Sequence, residues 1–292
     1  MRYTLRQIEV FLAIARTESV SRAAEALAMS QSAASGALAD LEQQFDVLLF
    51  DRIGKRLRLN GFGRALRPRA EALAEQALAL EQSLEGHAEA IKLRVGATLT
   101  IGNYVAVDLV ARFMREHEGA DVALEVANTA EIARKVQNFE IDVGLVEGEL
   151  HHPELQVTRW REDELTVFAA PDYPLAKKKA LRDADLRSAP WIVREPGSGT
   201  RQAFERAMQG VLPELRIVLE LQHTEAIKRA VLSKLGLGCV SRMAVEDEFR
   251  AGTLVPCRVP HRDFRRWFFF VLHEEKYVSP GIRSFLELCR SA

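Results

Sequence analysis

The stretch from Ser19 to Phe50, S-V-S-R-A-A-E-A-L-A-M-S-Q-S-A-A-S-G-A-L-A-D-L-E-Q-Q-F-D-V-L-L-F, leaves few choices of local fold. Ser19 or Ser21 can cap a short helix over Arg22 to Leu27, with Ala23, Ala24 and Leu27 turned inward. Ala28-Met29-Ser30 is a tight break. Ser30 then caps a second helix from Gln31 to about Gln44, whose inner face carries Ala34, Leu38, Leu41 and Phe45 at helical spacing. Two short helices about such a turn predict a helix-turn-helix. Leu5, Ile8, Phe11, Leu12 and Ala15 predict an amphipathic first helix that completes a trihelical core. An ordinary helical hairpin inside a larger core would show the same pattern, so the flanks decide.

The flank after Phe50 reads D-R-I-G-K-R-L-R-L-N-G-F-G-R-A-L, with Gly54 predicted at the tip of a two-stranded wing. Arg52, Lys55, Arg56, Arg58, Arg64 and Arg67 crowd this region, and Asp51 is the only acid from Val47 to Ala70. A merely solvated wing would carry mixed charge. A local cationic surplus is what the phosphates of double-stranded DNA require. Gln31, Ser32 and Ser35 stand at the exposed start of the second helix, where short polar side chains can meet base edges in a major groove. The expected DNA-binding set is Arg22, Gln31, Ser32, Ser35, Arg52, Lys55, Arg56 and Arg58. A whole-chain net charge of -1 does not announce such a surface, because the surplus is local.

The length of 292 residues permits further domains. Residues 1–60 are predicted as the winged helix-turn-helix and 61–90 as a linker and dimerisation segment. Gly61 to Gly86 reads as one long helix in which Leu66, Ala70, Leu73, Ala77, Leu80 and Leu84 form a heptad seam. Packing on its own domain would use the same seam, but the helix stands between two units, so a second copy of the chain is its expected cover.

From Lys92 strand and helix signals alternate, which predicts a parallel α/β sheet. Residues 91–292 are read as a two-lobed domain of the periplasmic-binding-protein type. Lobe I is expected at about 91–163 and 270–292, and lobe II at about 164–269. Leu155 to Trp160 and Leu165 to Ala170 are predicted as separate strands, and Pro171 to Ala189 as a solvated loop. The fold class is therefore multidomain: an all-α winged helix-turn-helix, a long linker helix, and an α/β effector domain.

Ligands of open α/β sheets bind beyond the carboxyl ends of the strands. Two loops there stand out: Ala97-Thr98-Leu99-Thr100-Ile101-Gly102, and Arg194-Glu195-Pro196-Gly197-Ser198-Gly199-Thr200-Arg201. Asn128-Thr129 makes a third strand-to-helix junction. Small residues, hydroxyls and free backbone N–H groups at helix N-termini suit an anion. Plain helix capping explains any one of these loops; several facing one cleft point to a small anionic ligand. The candidate effector set is Thr98, Leu99, Thr100, Asn128, Thr129, Ser198, Gly199, Thr200, Arg201 and His223. His223 follows a strand and could equally be a cap.

An enzyme is the rival of another class, as is a solute-binding module. No G-x-x-x-x-G-K-[ST] is present, and no nucleophile, base and orienter assemble into a catalytic set. No catalytic residue, metal or cofactor is expected. Cys239, Cys257 and Cys289 are too widely spaced for a zinc site or a disulfide framework. His151-His152-Pro153 reads as an exposed loop. No apolar run approaches the roughly 18 residues of a membrane span, and the N-terminus has no apolar signal region, so a cytoplasmic protein is expected.

These motifs resemble the LysR-type transcriptional regulators over essentially the full chain. The resemblance rests on A-A-E-A-L, S-Q-S-A-A-S and L-E-Q-Q-F-D-V-L-L-F-D-R, followed by a linker helix and two lobes. T-I-G-N-Y and R-E-P-G-S-G-T-R are similar to the branch that includes the CbbR, CysL and YeiE regulators. S-Q-S-A-A-S, L-F-D-R-I-G-K-R and the late R-A-V look most like the sulfite-responsive YeiE type. The resemblance implies a homotetramer, built as a dimer of dimers, controlled by a small co-inducer in the cleft. It also implies that Thr98, Thr100, Asn128, Thr129, Ser198, Thr200 and Arg201 line the effector site. Sulfite or sulfate leads as effector; a phosphorylated sugar, nucleotide or organic acid is the alternative. The chain departs from the family pattern at Gly36, where many relatives carry arginine, at Ala127, and at Ala106-Val107.

Overall fold

The computed structural model describes residues 2–53, 56–84 and 91–292, with side chains at 79 and 82–84 left aside. Gly54, Lys55, Gly86 and the side chain of Leu84 thus lie outside the described residues. The chain forms two compact units, residues 1–91 with 274–283, and residues 92–273 with 284–292.

In the first unit, α1 (Leu5–Thr17) begins at a capping box. The Thr4 hydroxyl accepts from the Gln7 N–H at 3.2 Å, and the Gln7 side chain accepts from the Thr4 N–H at 2.9 Å. Ser19 caps α2 (Val20–Ala26), and Ser30 caps α3 (Gln31–Phe45). Between them Ala28 adopts the left-handed region at φ 52, which makes the break abrupt. Ile8, Phe11, Leu12, Ala23, Ala24, Ala34, Leu38 and Leu41 are buried together as the trihelical core.

Two residues predicted to face inward do not. Leu5 is 49% exposed because it opens α1 ahead of the packed turns, and Phe45 is 40% exposed at the last turn of α3, where its ring meets Tyr3 and Arg2 instead. Strands β1 (Phe50–Ile53) and β2 (Arg56–Leu59) pair antiparallel from Phe50 opposite Leu59 to Ile53 opposite Arg56, which is the wing.

The long helix α4 (Gly61–Leu84) divides the predicted seam in two. Ala70 is buried, and Leu66 and Leu73 pack beside it against the trihelical core. The near half of the seam is therefore covered by its own unit. Arg16 and Arg67 flank the buried Glu71 carboxylate across the same contact, at 2.5 and 3.7 Å. Only the far half stands open: Leu80 is exposed and Ala77 half-buried.

The second unit opens with β3 (Lys92–Thr98), α5 (Leu99–Ile101), one π turn over Gly102–Ala106, and α6 (Val107–Glu116). It continues with β4 (Asp121–Ala127), α7 (Thr129–Gln137), β5 (Val143–Glu147) and β6 (Leu155–Ala169). Next come α8 (Asp183–Ser188), β7 (Pro190–Arg194), α9 (Gly199–Ala207), β8 (Arg216–Leu221) and α10 (Thr224–Leu232). The remaining elements are β9 (Leu237–Ser241), α11 (Glu246–Ala251), β10 (Val255–Cys257), β11 (Arg265–His273) and α12 (Pro280–Ser291).

The strand order is β4-β3-β5-β11-β6-β9-β7-β8, with β10 also on β6. β3 runs parallel to β4 and β5, and β7 runs parallel to β8 and β9. Between these two parallel halves lies an antiparallel ribbon of β6 and β11. The two strands predicted at Leu155–Trp160 and Leu165–Ala170 are one strand of 15 residues. Arg161-Glu162-Asp163-Glu164 interrupts the apolar pattern but not the ladder, because β11 supplies Arg265 and Arg266 opposite. The loop predicted over 171–189 contains α8, pinned by buried Leu186.

Candidate nucleic-acid interface and effector cleft

The first unit brings four of the predicted DNA-facing residues onto one concave surface. Gln31 and Ser35 from α3 line a hollow of about 410 Å³ with Arg52 and Arg56 from the wing and Ser19 and Ser21 from the α2 start. Gln31, Ser32 and Ser35 are exposed, and space beside Gly36 is open, so nothing of the unit's own hides the start of α3. Arg52 and Arg56 are exposed and have no carboxylate partner among the described residues.

The other predicted cations behave differently. Arg22 donates to the Thr17 carbonyl, Arg58 lies 3.8 Å from Glu18, and Arg64 donates to the Leu59 carbonyl at 2.7 Å. Arg67 is buried beside Glu71 and does not join the exposed surplus. Ser32 shares a hydrogen bond of 3.0 Å with the capping hydroxyl of Ser30. Lys55 lies outside the described residues.

In the second unit the hydroxyl loops meet, and a carboxylate stands among them. Glu147 ends β5 and is buried to 1% exposure. Thr100 donates its backbone N–H to one Glu147 oxygen at 3.1 Å and its hydroxyl to the other at 3.0 Å. Thr200, at the start of α9, donates its hydroxyl to that second oxygen at 2.9 Å. Arg266 of β11 pairs with the same oxygen and also donates to the Thr200 and Thr100 hydroxyls, at 3.0 and 3.3 Å. Behind it, Asp163 of β6 accepts from Arg266 at 2.6 Å and from the Ser241 hydroxyl at 2.7 Å.

Burial disfavours the Glu147 charge, but Arg266, the Thr200 and Thr100 hydroxyls and Arg194 outweigh it and hold the carboxyl below its ordinary pKa. A buried anion thus already occupies the place the hydroxyl loops were expected to reserve for a ligand. Thr98, also buried, caps α5 without using its hydroxyl, whose oxygen has no hydrogen-bond partner.

The halves approach closely around this cluster. Thr129 donates its hydroxyl to the Glu147 carbonyl at 2.8 Å and accepts from the Gly199 N–H at 3.1 Å. A Cβ on Gly199 would lie 1.8 Å from that carbonyl, so only glycine fits. Gly197, at φ 86, accepts from the Ala130 N–H at 3.2 Å. Leu99 is buried under the first loop, and Ser198 is buried at the head of α9.

Three predicted residues make no hydrogen bond to the Glu147 carboxylate. Asn128 caps α7, accepting from the Glu131 N–H at 3.0 Å. Arg201 turns away from the cluster onto Glu205 and Glu220, at 2.6 and 2.8 Å, whose bonds outweigh the cost of its burial and raise its pKa. His223 is exposed at the start of α10 and makes no side-chain cap bond. Glu147, Asp163 and Arg266 escaped sequence reasoning. Their signal is a charge set in an apolar strand: V-G-L-V-E for β5 and R-R-W-F-F-F for β11.

Cys239, Cys257 and Cys289 are free and buried, and burial pushes all three thiols up, Cys257 to about 11 and Cys289 to about 12. Such thiols are poor nucleophiles near neutral pH. Among the described residues no group of side chains could hold a metal ion, and no helix is long and apolar enough to cross a membrane.

Comparison with known proteins agrees with this architecture. Residues 5–64 match the bacterial regulatory helix-turn-helix proteins of the lysR family, and residues 87–292 match the LysR substrate binding domain. The chain is 43% identical to the HTH-type transcriptional regulator YeiE of Escherichia coli K12, over 100% of this chain and 99% of that one. It is 33% identical to the RuBisCO operon transcriptional regulator of Allochromatium vinosum, over 100% and 97% of the two chains. A full-length OxyR variant from Pseudomonas aeruginosa has the same fold, with a TM-score of 0.74 at 20% identity over 98% of this chain and 97% of that one. These are regulators rather than enzymes, and the chain belongs to the LysR-type transcriptional regulators, DNA-binding proteins that carry an effector-binding domain.

Proposed function

We propose that this regulator acts in the cytoplasm and that its grip on promoter DNA is set by a small oxyanion, sulfite or sulfate foremost. The oxyanion would bind where the Glu147 carboxylate lies. One observation carries this reading: the Thr100 and Thr200 hydroxyls and the Arg266 guanidinium converge on a single carboxylate oxygen. Donors so arranged accept any compact oxyanion. The unpartnered Thr98 hydroxyl offers one donor more.

Glu147 is then a resident competitor. An arriving anion takes over its donors, and the carboxylate leaves the cluster. Because Thr100 and Thr200 come from opposite halves, that exchange shifts their relative tilt. The effector moves the balance only by binding one arrangement more tightly than the other. At the DNA, Gln31, Ser32 and Ser35 would read base edges, while Arg52, Lys55 and Arg56 hold phosphates, with Arg22 and Arg58 at the margin. Residues 61–90 would join two copies, and two such dimers would form the tetramer.

A thermal-shift titration with sulfite and sulfate tests the site, since a ligand bound to the native state raises the melting temperature by mass action. The expected result is a shift in the wild-type protein that Thr100→Val removes while promoter binding is kept. A shift of equal size in Thr100→Val refutes the site.

A further inference from the structure

Gly36 stands exposed inside α3, in regular helix. Glycine forms helix less readily than any residue but proline, because it has the most backbone freedom to lose. It is useful in such a place when another group must come close. At Gly63 that group belongs to the unit itself, since a Cβ there would lie 2.1 Å from the Leu49 carbonyl. At Gly36 a Cβ would meet nothing within 4 Å, and the backbone is not left-handed. Nothing in the fold therefore requires this glycine. Alanine would fit, and it would favour the helix.

Gly36 faces the surface that the DNA-facing residues occupy. Ser32 precedes it by one turn on the same line of α3, and its neighbour Ser35 lines the hollow with Gln31, Arg52 and Arg56. No charged side chain stands on α3 before Asp40, which is exposed one turn beyond Gly36. Phosphates repel an exposed carboxylate, so Asp40 marks where the helix leaves the DNA. Gly36 belongs to the turn just before that exit.

A bare Cα in mid-helix has no free donor or acceptor, so it cannot read a base by hydrogen bonding. What it offers is space. Base edges in the major groove carry one apolar projection, the C5-methyl group of thymine.

We propose that Gly36 is a specificity-determining residue: one thymine methyl of the operator seats against its Cα, where a β-carbon would collide. The inference rests on the reading that α3 enters the major groove. Gly36 then selects an A·T pair by shape, beside the hydrogen bonds of Gln31, Ser32 and Ser35.

The test begins with a duplex selected from random DNA by the full-length wild-type protein. Fluorescence anisotropy then compares wild type with Gly36→Ala on that duplex. It also compares them on duplexes in which deoxyuridine replaces one thymidine at a time, deleting one methyl. Gly36→Ala should bind the selected duplex about tenfold or more weakly, as for one wrong base pair. At one position deoxyuridine should bring Gly36→Ala to within about twofold of wild type on the same duplex, while weakening wild type about fourfold through the lost methyl. The winged helix-turn-helix of Gly36→Ala should melt higher than wild type, which separates lost contact from lost fold.

The proposal is overturned if Gly36→Ala binds the selected duplex like wild type, or if it melts lower. A loss that no deoxyuridine repairs overturns it too, and puts a phosphate rather than a methyl against Gly36. If wild type selects no common sequence, base reading by α3 itself fails and takes this inference with it. Successful selection with Gly36→Ala unaffected removes the Gly36 role alone.

Discussion

Thr100 and Thr200 donate their hydroxyls to the same oxygen of Glu147, at 3.0 and 2.9 Å, although one belongs to each half of the effector-binding domain. One carboxylate therefore fastens the two halves together. That relationship makes Glu147 the residue on which the joint between the halves turns.

Glu147→Gln leaves Arg266 with Asp163 as its only carboxylate, and breaking a buried pair costs about 3–5 kcal/mol. Denaturant unfolding of the effector domain should show that loss. The pH dependence should change as well. Glu147 is held below its ordinary value of 4.5, so its contribution is fully present above that value and disappears as the pH falls through the lower folded value. Wild type should weaken on acidification below 4.5, and Glu147→Gln should weaken less steeply.

Arg56→Ala removes an unpaired cation from the wing, on the hollow that it shares with Gln31 and Ser35. Binding to specific and non-specific DNA should weaken together, and the slope of log affinity against log salt should fall by about 1. Fluorescence anisotropy across a salt series measures both. An unchanged slope argues against phosphate contact at Arg56.

Gly199→Ala forces a methyl group to within 1.8 Å of the Glu147 carbonyl unless the backbone moves. The expected cost is about 1–3 kcal/mol, confined to the effector domain. Thermal unfolding followed in that domain reads it, while the winged helix-turn-helix should melt unchanged.

Leu80→Lys places a charge on the open half of the α4 seam, where Leu80 is 62% exposed in the single chain. If that half is covered by a second copy, sedimentation should show a shift from dimer or tetramer toward monomer. Leu66→Ala, on the half covered by its own unit, should instead lower stability with association retained.

Much of this was legible in advance because local rules act within a few residues. Ser19 and Ser30 cap the helices that their spacing announced, and strands and helices alternate after Lys92, but the sheet is mixed rather than parallel because β6 and β11 run antiparallel through its middle. The seam in α4 misled in part because heptad spacing records an apolar face without saying what covers it; Ala70 meets its own core and Leu80 does not. Arg201 matched the expected loop, yet Glu205 one turn later and Glu220 on β8 claim its charge. Glu147, Asp163 and Arg266 come from three distant strands, β5, β6 and β11, so no local spacing joins them. Hydroxyls at helix starts announce that some anion is wanted there; they do not announce that the chain brings its own.

The 15-residue strand β6 runs unbroken from one half into the other, laddered to β11 along its way. Two hydrogen-bonded strands act as a leaf spring, stiff along their length and in their own plane but compliant to flexing out of it. Sliding or separation of the halves would strain that ladder, and bending is the motion it opposes least.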